Sequence, residues 1–406
     1  MPDLSYRAVE MPESPIRKLI PFAEDAKKRG ITVYHLNIGQ PDIETPAGAL
    51  DAVHNSEITV LEYSHSAGIE SFRNELSHYY RKNKIDVSKD DILVTTGGSE
   101  AIFFALMCCL NPGDEIIIPE PFYTNYNGFA VAAGVKIVPV TTHIENGFAL
   151  PEIEKFNEKI TTLTKAILIC NPNNPTGYLY SRKELDLLSE LVRDKNLYLL
   201  ADEVYREFCY DGAEFLSVMN LKGAEENVVM LDSISKRYSM CGARIGTLVT
   251  RNKKIKQAAL KYAQARLSPP TFGQIAGKAA ISTPESYFTK VLKEYSGRRN
   301  LLVDMLNNMD GVQCPVPKGA FYAMARLPID DSDKFCRWLL EKFNHNGRTV
   351  MLAPATGFYA TKGLGKDEVR IGYVLNIDSL KNAMQCLQQG LKQYSCNTII
   401  EESSSC

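Results

Sequence analysis

Lys236 stands in Asp232-Ser233-Ile234-Ser235-Lys236-Arg237-Tyr238-Ser239-Met240-Cys241-Gly242-Ala243-Arg244, among small hydroxyl residues and directly after the apolar run 228–231. A lysine that loses part of its hydration is easily neutralised, and condensation with an aldehyde needs a neutral amine. Arg244 could grip phosphate oxygens in a bidentate pair, and the serines could hydrogen-bond them. Four further pieces could serve the same chemistry. Thr95-Thr96-Gly97-Gly98-Ser99-Glu100-Ala101 reads as a strand end, a glycine turn and a helix start. Backbone N–H groups at a helix N-terminus favour a phosphate, although this is neither a GxGxxG dinucleotide loop nor a P-loop. Asn171-Pro172-Asn173-Asn174-Pro175-Thr176-Gly177 follows an apolar run, and the Asn174 amide could hydrogen-bond a phenolic oxygen. Asp202 ends Tyr198-Leu199-Leu200-Ala201-Asp202, with Tyr205 within a turn of it. A carboxylate there is costly to bury without a partner, and a protonated ring nitrogen would be one. Arg370 lies inside the apolar pattern 368–374. An inward arginine needs an anion, either a substrate carboxylate or an internal salt-bridge partner. Singly, each piece also fits an ordinary turn, strand end or ion pair. Together they suggest pyridoxal phosphate held covalently by Lys236.

These pieces must be positioned by elements whose pattern is visible. Seven short apolar runs, at 92–95, 115–119, 136–140, 166–170, 197–201, 228–231 and 246–249, alternate with helical patterns. That alternation predicts an α/β fold with a mostly parallel seven-stranded sheet flanked by helices. In such folds ligands sit beyond the C-terminal ends of the strands, and the five pieces fall at strand ends or in the loops after them. A charged amphipathic stretch at 287–308 reads as one long linking helix. Beyond it, strand-like pieces (320–326 and 368–374) alternate with helices (332–344 and 377–394), predicting a smaller α+β domain. The expected division is 1–44 as an N-terminal arm and part of the small domain, 45–290 as the large cofactor-binding domain, and 291–406 as the small C-terminal domain.

Composition narrows the function classes. The 406 residues are 45% hydrophobic and 23% charged, ordinary for a globular protein of two domains. A net charge of −2 gives no bulk attraction to nucleic acid or to an anionic membrane. No apolar run is long enough to span a bilayer. Met1-Pro2-Asp3-Leu4-Ser5 lacks the basic stretch and apolar core of a secretory signal, so a cytoplasmic protein is expected. The ten cysteines show no CxxC spacing and read as reduced thiols, and no metal site is expected.

In chain order, Asn37-Ile38-Gly39-Gln40-Pro41-Asp42, Tyr63 with Gly68, Gly97-Gly98-Ser99-Glu100-Ala101, Pro121-Phe122-Tyr123-Thr124-Asn125-Tyr126, the Asn171 loop, Asp202-Glu203-Val204-Tyr205, the Lys236 segment and Arg370 form a specific set. The set resembles the class I/II aminotransferases among the fold-type-I pyridoxal-phosphate enzymes, near the aspartate aminotransferase branch. The resemblance implies that Lys236 forms the Schiff base with the cofactor and then shuttles the substrate proton. It implies Asp202 on the pyridine nitrogen, Asn174 and Tyr205 on the phenolic oxygen, and Tyr123 stacked on the ring. Gly98, Ser99, Glu100, Ser233 and Arg244 match positions around the phosphate, and Ser235 is a further candidate. Tyr63 matches a tyrosine that reaches the phosphate of the partner subunit's cofactor, so a homodimer with shared active sites is implied. Arg370, Asn174 and the backbone of Gly39 match the positions that hold the substrate α-carboxylate.

The same resemblance implies amino transfer between an L-amino acid and a 2-oxo acid by a ping-pong mechanism, with L-aspartate and 2-oxoglutarate as the expected pair. A second cation should then hold the distal carboxylate. Ser99 stands where one bacterial branch has a lysine, and Arg266 is offset from the position another branch uses. Arg266, Arg17 and Lys18 are candidate substitutes. The alternatives are an aminotransferase for aromatic or other neutral amino acids and a pyridoxal-phosphate carbon–sulfur lyase. A regulator with an appended DNA-binding domain is disfavoured, because Asn37-Ile38-Gly39 begins too early and the charge does not suit DNA.

Overall fold

The computed structural model describes residues 2–403. After a first strand, β1 (Thr32–His35), the seven apolar runs become β2 (Ile92–Thr95), β3 (Glu115–Glu120), β4 (Lys136–Thr141), β5 (Thr164–Cys170), β6 (Tyr198–Asp202), β7 (Val228–Ser233) and β8 (Gly246–Val249). These seven form one sheet in the order β2-β8-β7-β6-β5-β3-β4. Only β8 runs against its neighbours, β2 and β7; the other pairs are parallel.

The continuous apolar runs follow from burial of both sheet faces. Successive side chains point to opposite faces. Thus Ile167, Ile169, Leu199, Ala201, Val228 and Met230 enter one core. Ala166, Leu168, Leu200, Val229 and Leu231 enter the other. Each buried Leu, Ile or Val contributes roughly 1.5–3 kcal/mol. Against that background the polar residues closing β6 and β7, Asp202 and Ser233, are exceptional: both are buried.

Four further strands follow: β9 (Tyr322–Arg326), β10 (Arg348–Met351), β11 (Ala353–Pro354) and β12 (Glu368–Gly372). β11, β12 and β9 form an antiparallel sheet, and β1 pairs in parallel with β10. The N-terminal segment therefore supplies a strand to the smaller body. Its helix Ile20–Lys28 also packs on the helix Ser332–Glu341. The long helix expected at 287–308 is Glu285–Asn307, and its Tyr287 touches the cores of both bodies. The strand expected from 320 starts at Tyr322, since Ala320 turns the chain with φ +55°. The last helix extends past 394 to Ser403. Cys108, Cys109, Cys170, Cys209, Cys241, Cys314, Cys336 and Cys386 are free thiols. No described helix is long and apolar enough to cross a membrane.

Candidate active site

Because β2, β5, β6 and β7 are mutually parallel, their C-terminal ends share one edge. The loops after them, with the approach to β8, open a cavity of about 590 Å³ there. Of the residues singled out in the sequence, Gly39, Gly98, Ser99, Tyr123, Asn174, Asp202, Tyr205, Ser233, Ser235, Lys236, Arg244 and Arg370 line it.

Lys236 rides on the short helix Ile234–Arg237, where the Ser233 hydroxyl accepts the Ser235 N–H as a cap and donates to the Ile245 carbonyl at 2.8 Å. Its ammonium is half-buried and donates to the Gly39 carbonyl at 2.9 Å. The next residue, Arg237, points the other way, into a buried network with Asp232 and Glu207. Arg206 joins that network through Glu203 at 3.3 Å and Asp232 at 3.5 Å. Tyr80 donates to Asp232 at 2.7 Å. Glu203 follows Asp202 and Arg237 follows Lys236, so one ionic network anchors the backbone behind both reactive side chains.

Asp202 is buried without a cationic partner among the described residues. It accepts the Tyr126 phenol at 2.8 Å and the Val204 N–H at 3.4 Å. Loss of hydration dominates, raising its carboxyl to about 6 although both hydrogen bonds oppose the shift. Tyr123 packs edge-on against Tyr126 with ring centroids 5.5 Å apart and borders the same space.

Arg370 is buried with 1% exposure and has no carboxylate within ion-pairing distance among the described residues. Its guanidinium lies over the Tyr322 ring at 4.5 Å and the Phe358 ring at 4.9 Å. It donates to the Asn174 side-chain oxygen at 3.0 Å and to the Asn37 carbonyl, while its Nε has no partner. Burial pulls its pKa downward. An internal salt bridge is thus not what holds it. The other end of Asn174 donates to the Tyr205 phenol at 3.4 Å, and Tyr205 is 3.0 Å from the Tyr322 phenol. Tyr322, which sequence patterning did not single out, thus links Tyr205, Arg370 and Gly39. A side chain at position 39 would begin 1.6 Å from its hydroxyl and would displace the Tyr322 ring.

At the opposite end, the helix Gly97–Cys109 presents its N-terminus beside Ser233, Ser235 and Arg244. Arg244 takes φ +53°, a left-handed conformation costly for any residue with a Cβ. Its guanidinium packs over Gly97, where a Cβ would lie 2.3 Å from Nη2.

Other expected residues lie elsewhere. The Glu100 carboxylate faces away from the cavity, paired with Arg266 at 2.9 Å and accepting the Thr96 N–H. That pairing occupies Arg266, which also donates to the Ser66 carbonyl at 3.1 Å. Neither lines the cavity of its own chain. Lys18 is likewise paired, with Asp333. Arg17 does line the cavity. Tyr63 is 77% exposed and outside the cavity of its own chain.

The donor set fits pyridoxal phosphate. A helix N-terminus, two serines and an arginine line one part of the cavity, a buried carboxylate has no salt-bridge cation, and an amine shares the cavity with a buried arginine that lacks an anion.

Comparison with known proteins agrees. The family Aminotransferase class I and II matches residues 31–387. Aspartate aminotransferase of Pyrococcus horikoshii is 33% identical over 395 residues, covering 96% of this chain and 97% of its own. Aromatic-amino-acid aminotransferase 2 of Thermococcus litoralis is 30% identical, covering 96% and 98%. A solved alanine aminotransferase of Pyrococcus furiosus superposes with a TM-score of 0.87 at 29% identity, covering 96% of this chain and 100% of that one. The matched region contains all three sheets and every residue lining the cavity except Ser14, Ile16 and Arg17, and the chain belongs to the class I and II aminotransferases.

Proposed function

We propose that this aminotransferase binds pyridoxal phosphate on Lys236 and exchanges amino groups between L-aspartate and 2-oxoglutarate in a ping-pong cycle. When bound, the cofactor supplies an electron sink for the pair left behind when the substrate Cα–H is removed. The protein supplies the rest. Asp202 favours a protonated ring nitrogen, since that cation relieves its own burial. Asn174 and Tyr205 offer hydrogen bonds to a phenolic oxygen. Arg370 fixes the α-carboxylate through its open Nε edge and so orients the Cα–H bond toward Lys236. Once free, the Lys236 amine would take that proton and deliver it two atoms along, past the nitrogen, to the carbon that came from the cofactor's aldehyde.

The single observation carrying this reading is Arg370: a buried guanidinium without an anion, facing the same cavity as Lys236 and Asp202. The pairing of Arg266 with Glu100 and of Lys18 with Asp333 favours a second reading, in which the substrate is a neutral amino acid. A half-reaction panel tests both. Purified holoenzyme is mixed with single amino acids, and loss of the cofactor's visible absorbance is followed along with keto-acid release. Aspartate and glutamate are expected to react fastest. Reaction with alanine or phenylalanine alone would select the second reading. Ammonia release without an added oxo acid would instead indicate a lyase.

A further inference from the structure

The cavity carries more positive charge than the proposed chemistry uses. Arg17, Lys236, Arg244 and Arg370 line it against one carboxylate, Asp202. In the proposed function Lys236 takes the aldehyde, Arg244 the phosphate, Arg370 the α-carboxylate and Asp202 the ring nitrogen, which leaves Arg17 unassigned. Its side chain is exposed at the cavity mouth and has no ion pair or side-chain hydrogen bond among the described residues.

The backbone beneath it is firmly held. Pro15 packs so closely on Gly357 that a Cβ there would meet it at 2.4 Å. Ile16 packs on the cluster that includes Phe148, Met324 and Phe358. The Asn37 amide donates to the Ile16 carbonyl at 3.2 Å, and Lys18 pairs with Asp333. The Arg17 N–H donates to the Ser14 carbonyl at 3.0 Å, closing a turn. Such anchoring lowers the ordering cost of binding. The position is also suited to a second anion. Arg370 and Tyr123 line the same cavity as Arg17, and burial pushes the Tyr123 phenol up to about 12 while the charges of Arg370 and, least, Arg17 oppose the shift.

We propose that Arg17 binds the distal carboxylate of the substrate and makes the site selective for amino and oxo diacids. This rests on the reading of Arg370 as the α-carboxylate site. Ser14, Gln40, Ser99, Tyr123 and Asn125 also line the cavity and offer hydrogen bonds but no charge.

The test compares holoenzyme carrying Arg17→Met or Arg17→Lys with the unsubstituted protein. Two quantities are read: calorimetric affinity for succinate, a diacid that cannot transaminate, and half-reaction kcat/KM for aspartate, glutamate and alanine. Arg17→Met is expected to weaken succinate and raise the aspartate KM by about 10- to 100-fold. Alanine should change less than about 2-fold, and Arg17→Lys should retain part of the preference. Equal losses for aspartate and alanine, or no loss for either, would overturn the inference. An unsubstituted enzyme that turns over alanine but binds neither succinate nor aspartate would also overturn it, while leaving amino transfer intact. If no amino acid reacts, the proposed function fails, and the succinate measurement still decides whether Arg17 binds a diacid.

Discussion

At the scale of single residues, the site is built from groups whose preferred partners lie outside the chain, and Asp202 shows the consequence most directly. Its carboxyl titrates near 6 in the fold against 3.8 as a free side chain. Below the lower value it is protonated in folded and unfolded chain alike and costs nothing. Between the two, the folded state holds the extra proton and stability falls as pH rises. Above 6 the full penalty remains, on the order of 2–3 kcal/mol. Asp202→Asn should therefore stabilise the cofactor-free protein at pH 8, with a smaller gain at pH 5, in thermal melts at both pH values. The same substitution should slow the aspartate half-reaction by at least about 100-fold. A variant neither more stable nor slower would remove Asp202 from its assigned place. Lys236→Ala should retain cofactor non-covalently and lose transfer by at least about 10²–10⁴-fold, and undiminished turnover would refute the assignment. Asp202, Lys236 and Arg370 were legible in sequence because each is a charge beside an apolar run. Tyr126 and Tyr322 carried no such signal. Both are aromatic residues in apolar surroundings, and only the fold shows that their hydroxyls meet Asp202 and Tyr205.

At the scale of elements, the phosphate end depends on how closely β8 approaches the helix Gly97–Cys109. A Cβ on Gly246 would sit 2.4 Å from the Gly97 carbonyl carbon and 2.6 Å from the Gly98 nitrogen. Both are backbone atoms, so the helix start would have to move. Gly246→Ala is therefore expected to cost about 1–3 kcal/mol by overpacking. It should also weaken cofactor binding by roughly 10-fold, since the N–H groups would no longer converge with Arg244. Thermal melts and titration of cofactor into the stripped protein measure the two effects, and an unchanged affinity would show that this contact does not set the phosphate site. The central strands were legible because two-sided burial writes unbroken apolar runs. The reversed direction of β8 was not, since an antiparallel strand buried on both faces has the same pattern as a parallel one. Nor was the pairing of Glu100 with Arg266, which depends on which way a first-turn side chain points.

At the scale of the whole molecule, one surface remains to be explained. Val60, Leu61 and Tyr63 are 74%, 59% and 77% exposed. They run into a segment tied to Arg266 and Gln274 through Ser66 and Ser64. Leu267 and Phe272, on that neighbouring stretch, are 49% and 39% exposed. Apolar side chains gathered in this way mark an interface, and in a symmetric dimer each copy would offer the same patch to the other. Tyr63 would then serve the partner's cavity, and the two sites would depend on each other. Sedimentation should give a dimer. Tyr63→Ala should weaken cofactor binding by roughly 10-fold through loss of a charge-assisted hydrogen bond, while Lys236→Ala abolishes transfer. In a hybrid of these two variants, one site receives Lys236 from one chain and Tyr63 from the other and is intact. Random reassociation of equal amounts should make half the dimers hybrid, restoring about a quarter of full activity at limiting cofactor. Activity no greater than the sum of the separate variants would mean that Tyr63 does not cross between subunits.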